Sequence, residues 1–318
     1  MTLSILLLVC AGLCSVIVGV AVGHVERRGY SLVRYQLLNC AVCVAVAVAG
    51  WAVAPSAMFP SSGCPPATWA LVLAGTLLCG VFQYLMILMM GRAMKRGPNA
   101  IVWAIIQSGF IYPFLMGWLV FGEPMSAGRA AGILMIVASI FLYAARGKAN
   151  GQERTSSAAE RAPIRAWLVP ALLGMLFCGL NQCGGSLPSH LPRGDEFPSI
   201  FRDLMTSLGE LAGCTAGLVR LGLRGDLPRK PTRREFAELA GFAIGVLCIN
   251  YTASVMLLYP GLDLLKAQGR VAMGFPIMVA SCIAAFFPYG LIVLREKLNP
   301  VQALGAAIGI AGIILGCL

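Results

Sequence analysis

The fold is decided by residues 121–140, FGEPMSAGRAAGILMIVASI, because a second version of this stretch occurs at residues 294–313, LREKLNPVQALGAAIGIAGI. In each copy an apolar segment ends in an acidic turn, and a second apolar segment with small residues along one side follows. Aligning Glu123 with Glu296 brings further identities into register: Ser108 with Ser281, Phe114 with Phe287, Gly117 with Gly290, and Gly132 with Gly305. The chain is therefore predicted to contain a duplicated unit.

The composition predicts an all-α integral membrane protein. Apolar residues make up 58% of the chain, charged residues only 12%, and the mean hydropathy is +0.82, whereas an ordinary soluble domain carries about 25% charged residues. About 20 apolar residues are needed to cross the hydrocarbon core. Ten transmembrane helices are predicted on this basis, at residues 2–22, 31–53, 67–90, 99–121, 126–145, 166–187, 197–221, 236–258, 270–294 and 300–318.

The ten predicted spans divide into two halves. Residues 146–165 are polar and rich in small residues, as a flexible linker should be. They separate a first five-helix repeat, residues 1–145, from a second, residues 166–318. A repeat with an odd number of spans must insert upside down relative to its twin, and two inverted repeats are typical of secondary transporters, whose substrate site lies between the halves.

Positive charge is distributed unevenly along the chain. The formal net charge is +11, but 19 of the 24 Lys and Arg residues fall in or beside the odd-numbered loops. Because cytoplasmic loops of membrane proteins collect Lys and Arg, the odd-numbered loops are predicted to be cytoplasmic and both termini external. We therefore attribute the positive charge to membrane topology. The expected partner is the lipid bilayer, and no nucleic-acid partner is expected.

Signatures of enzymes are absent from the sequence. There is no phosphate-binding P-loop, no H-E-x-x-H and no nucleophile elbow. Of the twelve cysteines, eleven lie within predicted spans, so they do not form a disulfide framework. We expect neither an enzyme nor a bound metal or cofactor.

Two sequence features bear on helix packing. Glycines recur at close spacing in the fifth and tenth predicted spans, where they would let helix backbones approach closely within the bundle, or would join two copies of the chain as an oligomer. Prolines interrupt the equivalent fourth and ninth spans at Pro113, Pro276 and Pro288. These bends are predicted either to flank a central cavity or to serve packing alone.

The acidic turn followed by a glycine-lined helix, at the end of each five-span half, resembles the drug/metabolite transporter superfamily, especially its EamA-type ten-helix members. The similarity is clearest over residues 92–142 and 251–316, and Arg34 lies where the family often has arginine. The resemblance implies two inverted five-helix repeats around a central cavity. It also implies that the protein carries small metabolites across the membrane. Ten-helix members are commonly drawn with cytoplasmic termini, so the charge distribution of this chain departs from the family, and we follow the charge.

Glu210 is the first candidate for a functional residue. It lies close to the middle of the seventh predicted span, where a charged side chain costs roughly 2.5–3.5 kcal/mol on insertion scales and usually faces a cavity or a partner. A proton or another coupling cation could bind there. The alternative is a structural ion pair or a neutral, hydrogen-bonded carboxylic acid.

Polar side chains in other spans are candidates for contact with a substrate. They are Gln83, Gln107, Asn181 and Gln182. Amides can bind a polar solute, but they also join helices. Asp263, Lys266 and Arg270 have the spacing of one helix face. Arg270 is therefore a further candidate, which would attract an anionic substrate, although a solvated loop helix explains the spacing equally well.

Four other charged residues are expected to have local structural roles. Arg202 and Asp203 are expected to pair with each other at the membrane interface. Glu123 and Glu296 are expected to stabilise the short connections that follow the fourth and ninth spans.

The sequence as a whole predicts a secondary transporter that moves a small polar metabolite or drug by alternating access. A proton gradient or a substrate gradient would drive it, and Glu210 is the candidate for binding a coupling proton or cation. The alternative is a membrane interaction or assembly protein that transports nothing. Composition does not distinguish a bacterial from an organellar membrane, and the localisation that we expect is the bacterial cytoplasmic membrane.

The loop charges give a testable topology. Residues 146–165 and 222–235 are expected in the cytoplasm and Leu318 outside, because the basic residues follow the positive-inside rule. Single cysteines placed at these three positions in a cysteine-free background would be treated with an impermeant thiol reagent on intact cells. Only the cysteine after Leu318 should react, and labelling of both loops from outside would reverse the orientation.

Overall fold

The computed structural model describes residues 2–53, 59, 63–144, 164–226, 229–295 and 299–317. The described residues are helical apart from short connections, and no strand occurs among them. The helices, labelled in chain order, are α1 (Thr2–Arg27), α2 (Leu32–Val53), α3 (Pro66–Met94), α4 (Asn99–Leu119), α5 (Ala127–Ala144), α6 (Arg165–His190), α7 (Ser199–Leu223), α8 (Arg233–Lys266), α9 (Val271–Val293) and α10 (Pro300–Cys317).

Seven of these helices, α1 to α4, α6, α8 and α9, are long and apolar enough to cross a membrane. Helices α5 and α10 have shorter apolar runs, Ala127–Leu142 and Pro300–Gly312, and α7 is interrupted by charged residues. The prediction of an all-helical protein is confirmed, with helices of membrane-spanning length. Glu296, Leu318 and all but the last two residues of the 146–165 linker lie outside the described residues.

The outer surface of the bundle is apolar. Large side chains such as Phe141 and Ile292 are 73% and 74% exposed. In water such a surface would drive association, whereas in lipid it needs no polar partner. Helices suit this environment because each satisfies its own backbone hydrogen bonds.

The interior is built from helix pairs that cross the two halves of the sequence. Helix α3 packs against α6 and α7, α1 packs against α9, and α5 packs against α10. A continuous apolar core joins α1, α3, α4 and α9. Within it the rings of Trp103 and Phe286 stack with their centroids 5.0 Å apart.

Proline accounts for a break in α4. Pro113 has no N–H to donate to the carbonyl four residues earlier and its ring crowds that carbonyl. The helix tightens into a 3₁₀ turn at Ser108–Phe110 just before it, and the Ser108 hydroxyl donates to the Ala104 carbonyl at 2.8 Å. Helix α4 therefore departs from regular α geometry close to its middle.

Two other helices also depart from regular α geometry. Helix α9 ends in a π turn, Tyr289–Val293, directly after Pro288. Helix α8 contains two π turns, Leu247–Tyr251 and Ser254–Leu258. Such turns in α-helices are frequent at functional sites.

The glycine rows pack inside the bundle. Gly312 of α10 lies against the backbone of Gly132 in α5, and Gly128 faces Leu315. These contacts explain the small residues on both helices, since a larger side chain would hold the backbones apart. Gly128, Gly132 and Gly312 therefore make contacts within one chain.

Helices α3 and α7 also approach closely through glycine. A Cβ atom added to Gly80 would overlap the Thr206 carbonyl oxygen, and one added to Gly209 would overlap the Leu77 carbonyl oxygen. Backbone atoms cannot move aside as side-chain ends can. The approach matters for the site because α7 carries Glu210 one residue after Gly209.

Gly209→Ala should lower the stability of the protein by about 1–3 kcal/mol, since the added methyl group overpacks a backbone contact. Gly241→Ala is the matched control: its Cβ would meet open space, so the better helix propensity of Ala should raise stability by up to about 1 kcal/mol. Thermal unfolding of the detergent-solubilised variants measures both. Equal unfolding temperatures would contradict the close packing of α3 and α7.

Candidate functional site

A cavity of about 170 Å³ lies in the middle of the bundle. Eight helices line it, α1 to α4 and α6 to α9, and none of its lining comes from the described parts of α5 and α10. Its polar side chains include several amides and hydroxyls and two carboxyl groups. The cavity therefore brings polar side chains from several helices together within an apolar bundle.

Five of the six candidate residues from the sequence line this one cavity: Glu210, Gln83, Gln107, Asn181 and Gln182. The sixth, Arg270, does not. It lies exposed in the connection between α8 and α9, outside the cavity lining. Helix α8 ends at Lys266, so the helical spacing that relates Asp263 to Lys266 does not continue to Arg270.

One face of α7 supplies the acidic side of the cavity. Asp203, Thr206, Ser207 and Glu210 follow one another at helical spacing and all line it. Glu210 is only 6% exposed, and its Oε1 has no hydrogen-bond partner among the described residues. Asp203 and Glu210 lie two turns apart, about 10 Å along the helix axis.

Amide side chains on the opposite wall are linked through cysteine thiols. The Gln182 amide nitrogen donates to the Cys178 sulfur at 3.3 Å. The Cys178 thiol lies 3.6 Å from the Gln107 oxygen, which it donates to, and the Gln107 nitrogen lies 3.7 Å from the Cys282 sulfur. Sulfur is a weak hydrogen-bonding atom, so these amides remain available to a stronger partner.

Helices α2 and α3 complete the polar lining. The Gln36 amide nitrogen donates to the Tyr84 carbonyl at 3.3 Å, so the side-chain oxygen of Gln36 is the atom left without a partner. The Asn181 nitrogen donates to the Cys79 carbonyl at 3.0 Å. These bonds fix which end of each amide faces the backbone.

Sequence reasoning missed several lining residues, including Gln36, Asn39 and Asp203. Two signals could have found them. Gln36 and Asn39 are polar residues three apart in an otherwise apolar span, and Asp203 is seven residues before Glu210, on the same helix face. The expected local pairing of Arg202 with Asp203 is wrong, because Asp203 lines the cavity and Arg202 pairs elsewhere.

The Arg202 guanidinium, 0% exposed, forms the centre of a polar layer beside the cavity. Two of its nitrogens approach the two oxygens of Asp263 in α8, each at 3.1 Å. It also donates to the carbonyls of Phe197 and Gly194, at 2.9 and 3.1 Å, and lies 5.6 Å from the centre of the Tyr259 ring. The buried positive charge of Arg202 is therefore balanced by a carboxylate, two backbone carbonyls and an aromatic ring.

Further polar contacts extend this layer across the same face of the bundle. Lys266 donates to Asp195 at 2.5 Å and to the Leu191 carbonyl at 2.7 Å. Both Glu123 oxygens accept from the Ala272 N–H at 3.1 Å. We call these contacts, together with the Arg202 group, the loop seal, because they join the connections after α4 and α6 to the end of α8 and the start of α9.

Glu123 makes a contact beyond the turn in which it lies. Its carboxylate accepts from the backbone N–H of Ala272 in the first turn of α9, 149 residues away. Burial raises the pKa of its carboxyl group, and the Ala272 N–H opposes that rise. His190 approaches it with Nδ1 at 3.5 Å and stacks on Phe121 at 4.3 Å between ring centroids.

Comparison with known proteins shows the fold alone. No family model matches the chain, and no curated protein sequence is similar to it. A solved structure described as "Crystal structure of protein" is similar to this chain with a TM-score of 0.58 and 17% sequence identity, over 97% of this chain and 94% of the other. The helical arrangement therefore occurs in an experimentally determined protein of similar length.

Arg202→Gln should destabilise the protein by about 3–5 kcal/mol, because it leaves the Asp263 carboxylate and several carbonyls in the loop seal without a cation. Arg234→Gln is the control: the Arg234–Glu238 pair, 3.0 Å long, lies at the surface, where such pairs contribute about 0–1 kcal/mol. Unfolding temperatures in one detergent compare the two. A similar loss in both would show that the loop seal contributes no more than a surface ion pair.

Proposed function

We propose that this chain is a secondary transporter that carries a small polar metabolite or drug across a membrane by alternating access. The observation that supports this most is the polar cavity in mid-bundle that reaches Glu210, Gln107 and Asn181. An assembly protein has no need of such a space, and a solid apolar centre would be expected for it. Binding sites at the midplane between helices are typical of secondary transporters.

The proposal includes ten transmembrane helices in two inverted five-helix repeats, as the resemblance to EamA-type transporters implies. The helix contacts support it. If α1 to α5 are exchanged with α6 to α10, the packed pair α1 and α9 becomes α6 and α4, which are also packed, and α3 and α7 becomes α8 and α2. The packed pair α5 and α10 becomes α10 and α5, so the exchange leaves this pair unchanged.

The loop seal supports an assignment of the conformational state. It joins connections that the charge distribution predicts to be external, and it buries an ion pair with its hydrogen bonds satisfied. In the proposed cycle this is the closed external gate, and opening it requires Arg202 and Asp263 to separate. The membrane that fits the family resemblance is the bacterial cytoplasmic membrane.

Glu210 is the proposed coupling residue. Its buried oxygen has no partner among the described residues, and a carboxylate in such a place is costly unless a cation or a proton neutralises it. Alternating access would expose the residue to one side and then the other. A proton taken up on one side could thus be released on the other.

Glu210→Gln should leave the protein folded but make its transport independent of the proton gradient, or stop net transport, because the amide cannot exchange a proton. A thermal-shift screen across amino acids, sugars, nucleotides and cationic drugs would first identify a solute that binds. Vesicles containing the protein and a pH-sensitive dye would then report proton movement on addition of that solute. Glu238→Gln, a carboxyl change outside the cavity lining, is the control.

Two outcomes would change the proposal. Unchanged pH-driven flux in the Glu210→Gln variant would reduce Glu210 to a structural residue. Binding and flux absent for every solute class in the unaltered protein would favour the assembly protein instead.

A further inference from the structure

Among the buried polar side-chain atoms of the cavity lining that have no partner among the described residues, four are acceptor oxygens, one is the Trp103 Nε1–H donor, and one is the Tyr251 hydroxyl, which can donate or accept. Three of its side chains are at least nine-tenths buried and keep an oxygen without a partner among the described residues: Gln36, Gln182 and Glu210, which are 0%, 3% and 6% exposed. The Asn39 side-chain oxygen, also in the lining, is unpaired as well. Because the Gln36 nitrogen is held by the Tyr84 carbonyl, its free oxygen points to a ligand that donates hydrogen bonds.

The cavity also lacks positive charge. Asp203 and Glu210 are the charged side chains in its lining, with no Lys, Arg or His among the described lining residues. The nearby cation Arg202 is held by Asp263 in the loop seal. A ligand carrying a carboxylate or phosphate would therefore find no counter-charge, whereas a cation would find two carboxyl groups.

Aromatic side chains form part of the remaining lining, beside aliphatic ones such as Val18 and Ile87. Tyr35, Trp103, Tyr259 and Phe275 line the cavity and are nearly buried. Aromatic faces attract cations, most strongly where water is excluded. The volume of about 170 Å³ compares with an engineered cavity of about 150 Å³ in another protein that holds benzene. The space therefore suits a body of about one ring.

We propose that this cavity binds a small organic cation with several N–H donors, a primary ammonium or guanidinium group on an apolar body of about one ring. Glu210 is its counter-ion, and the Gln36 and Gln182 oxygens accept its hydrogen bonds. An ammonium group matches these oxygens because it has three donors and no acceptor. The inference names a substrate class and so rests on the proposed transport function.

Four probes of nearly one size separate the effect of charge from that of shape: benzylamine as the cation, benzyl alcohol as the neutral form, benzoate as the anion and phenylglycine as the zwitterion. Each would be titrated into the purified protein at neutral pH by calorimetry. Benzylamine should bind at least about tenfold more tightly than the other three, because it alone carries a positive charge without a carboxylate. A tenfold difference in Kd corresponds to about 1.4 kcal/mol of binding free energy.

The variants test the assigned residues. Glu210→Gln should weaken benzylamine binding at least about tenfold, and Glu238→Gln should leave it unchanged. If Glu210→Gln is not recovered folded, Asp203→Asn and Gln36→Leu provide the same comparison. Tighter binding of benzoate or phenylglycine, equal binding of all four probes, or benzylamine binding that none of the cavity variants weakens would overturn the proposal.

A flux measurement separates this inference from the transport function. Benzylguanidine keeps its charge and does not leak through lipid as a neutral amine, so its uptake into vesicles reports the protein. Uptake that depends on Glu210 supports both proposals. Saturable benzylamine binding without benzylguanidine uptake would retain the cation site and reject transport. Pumping of phenylglycine without benzylamine binding would retain transport and reject the cation site.

Discussion

The structure depends on the absence of water from the interior of a membrane. A polar group placed there must find its partner within the protein or remain unsatisfied, at a cost of several kcal/mol. The helices meet this constraint for the backbone, and the apolar outer surface meets it by carrying few groups that need partners. Many of the polar side chains that remain are gathered in two places, the loop seal and the central cavity.

Polar groups are fully paired in the loop seal and incompletely paired in the cavity. Arg202 and Asp203 are adjacent in α7, yet their side chains point about 100° apart around the helix. Arg202 has a carboxylate, two carbonyls and an aromatic ring around it. Asp203 faces the cavity and has no ion-pair partner among the described residues. Complete pairing holds the loops together, whereas incomplete pairing leaves capacity for a solute.

The sequence predicted the helices and much of the cavity because both depend on local information. Apolar runs determine the helices, and depth within a run singled out Glu210, since a carboxyl group so placed needs an unusual environment. The partners of Arg202 and Glu123 could not be predicted in this way. Asp263 and Ala272 are 61 and 149 residues away, and only packing of the helices brings them together. Arg270 lies outside the cavity lining, since helical spacing gives a common face only while the helix continues.

Backbone irregularity coincides with the cavity, and this links the fold to the proposed movement. The α8 segment from Leu247 to Leu258 contains both π turns and lines the cavity with Asn250, Tyr251 and Ser254. A π turn holds one residue more than an α turn, so converting one to the other rotates and shifts the helix beyond it. The part of α8 beyond these turns ends at Asp263 and Lys266, which both belong to the loop seal. In the proposed transport cycle, a solute that changes the packing at Asn250 and Tyr251 would therefore act through this one helix on the contacts of the loop seal.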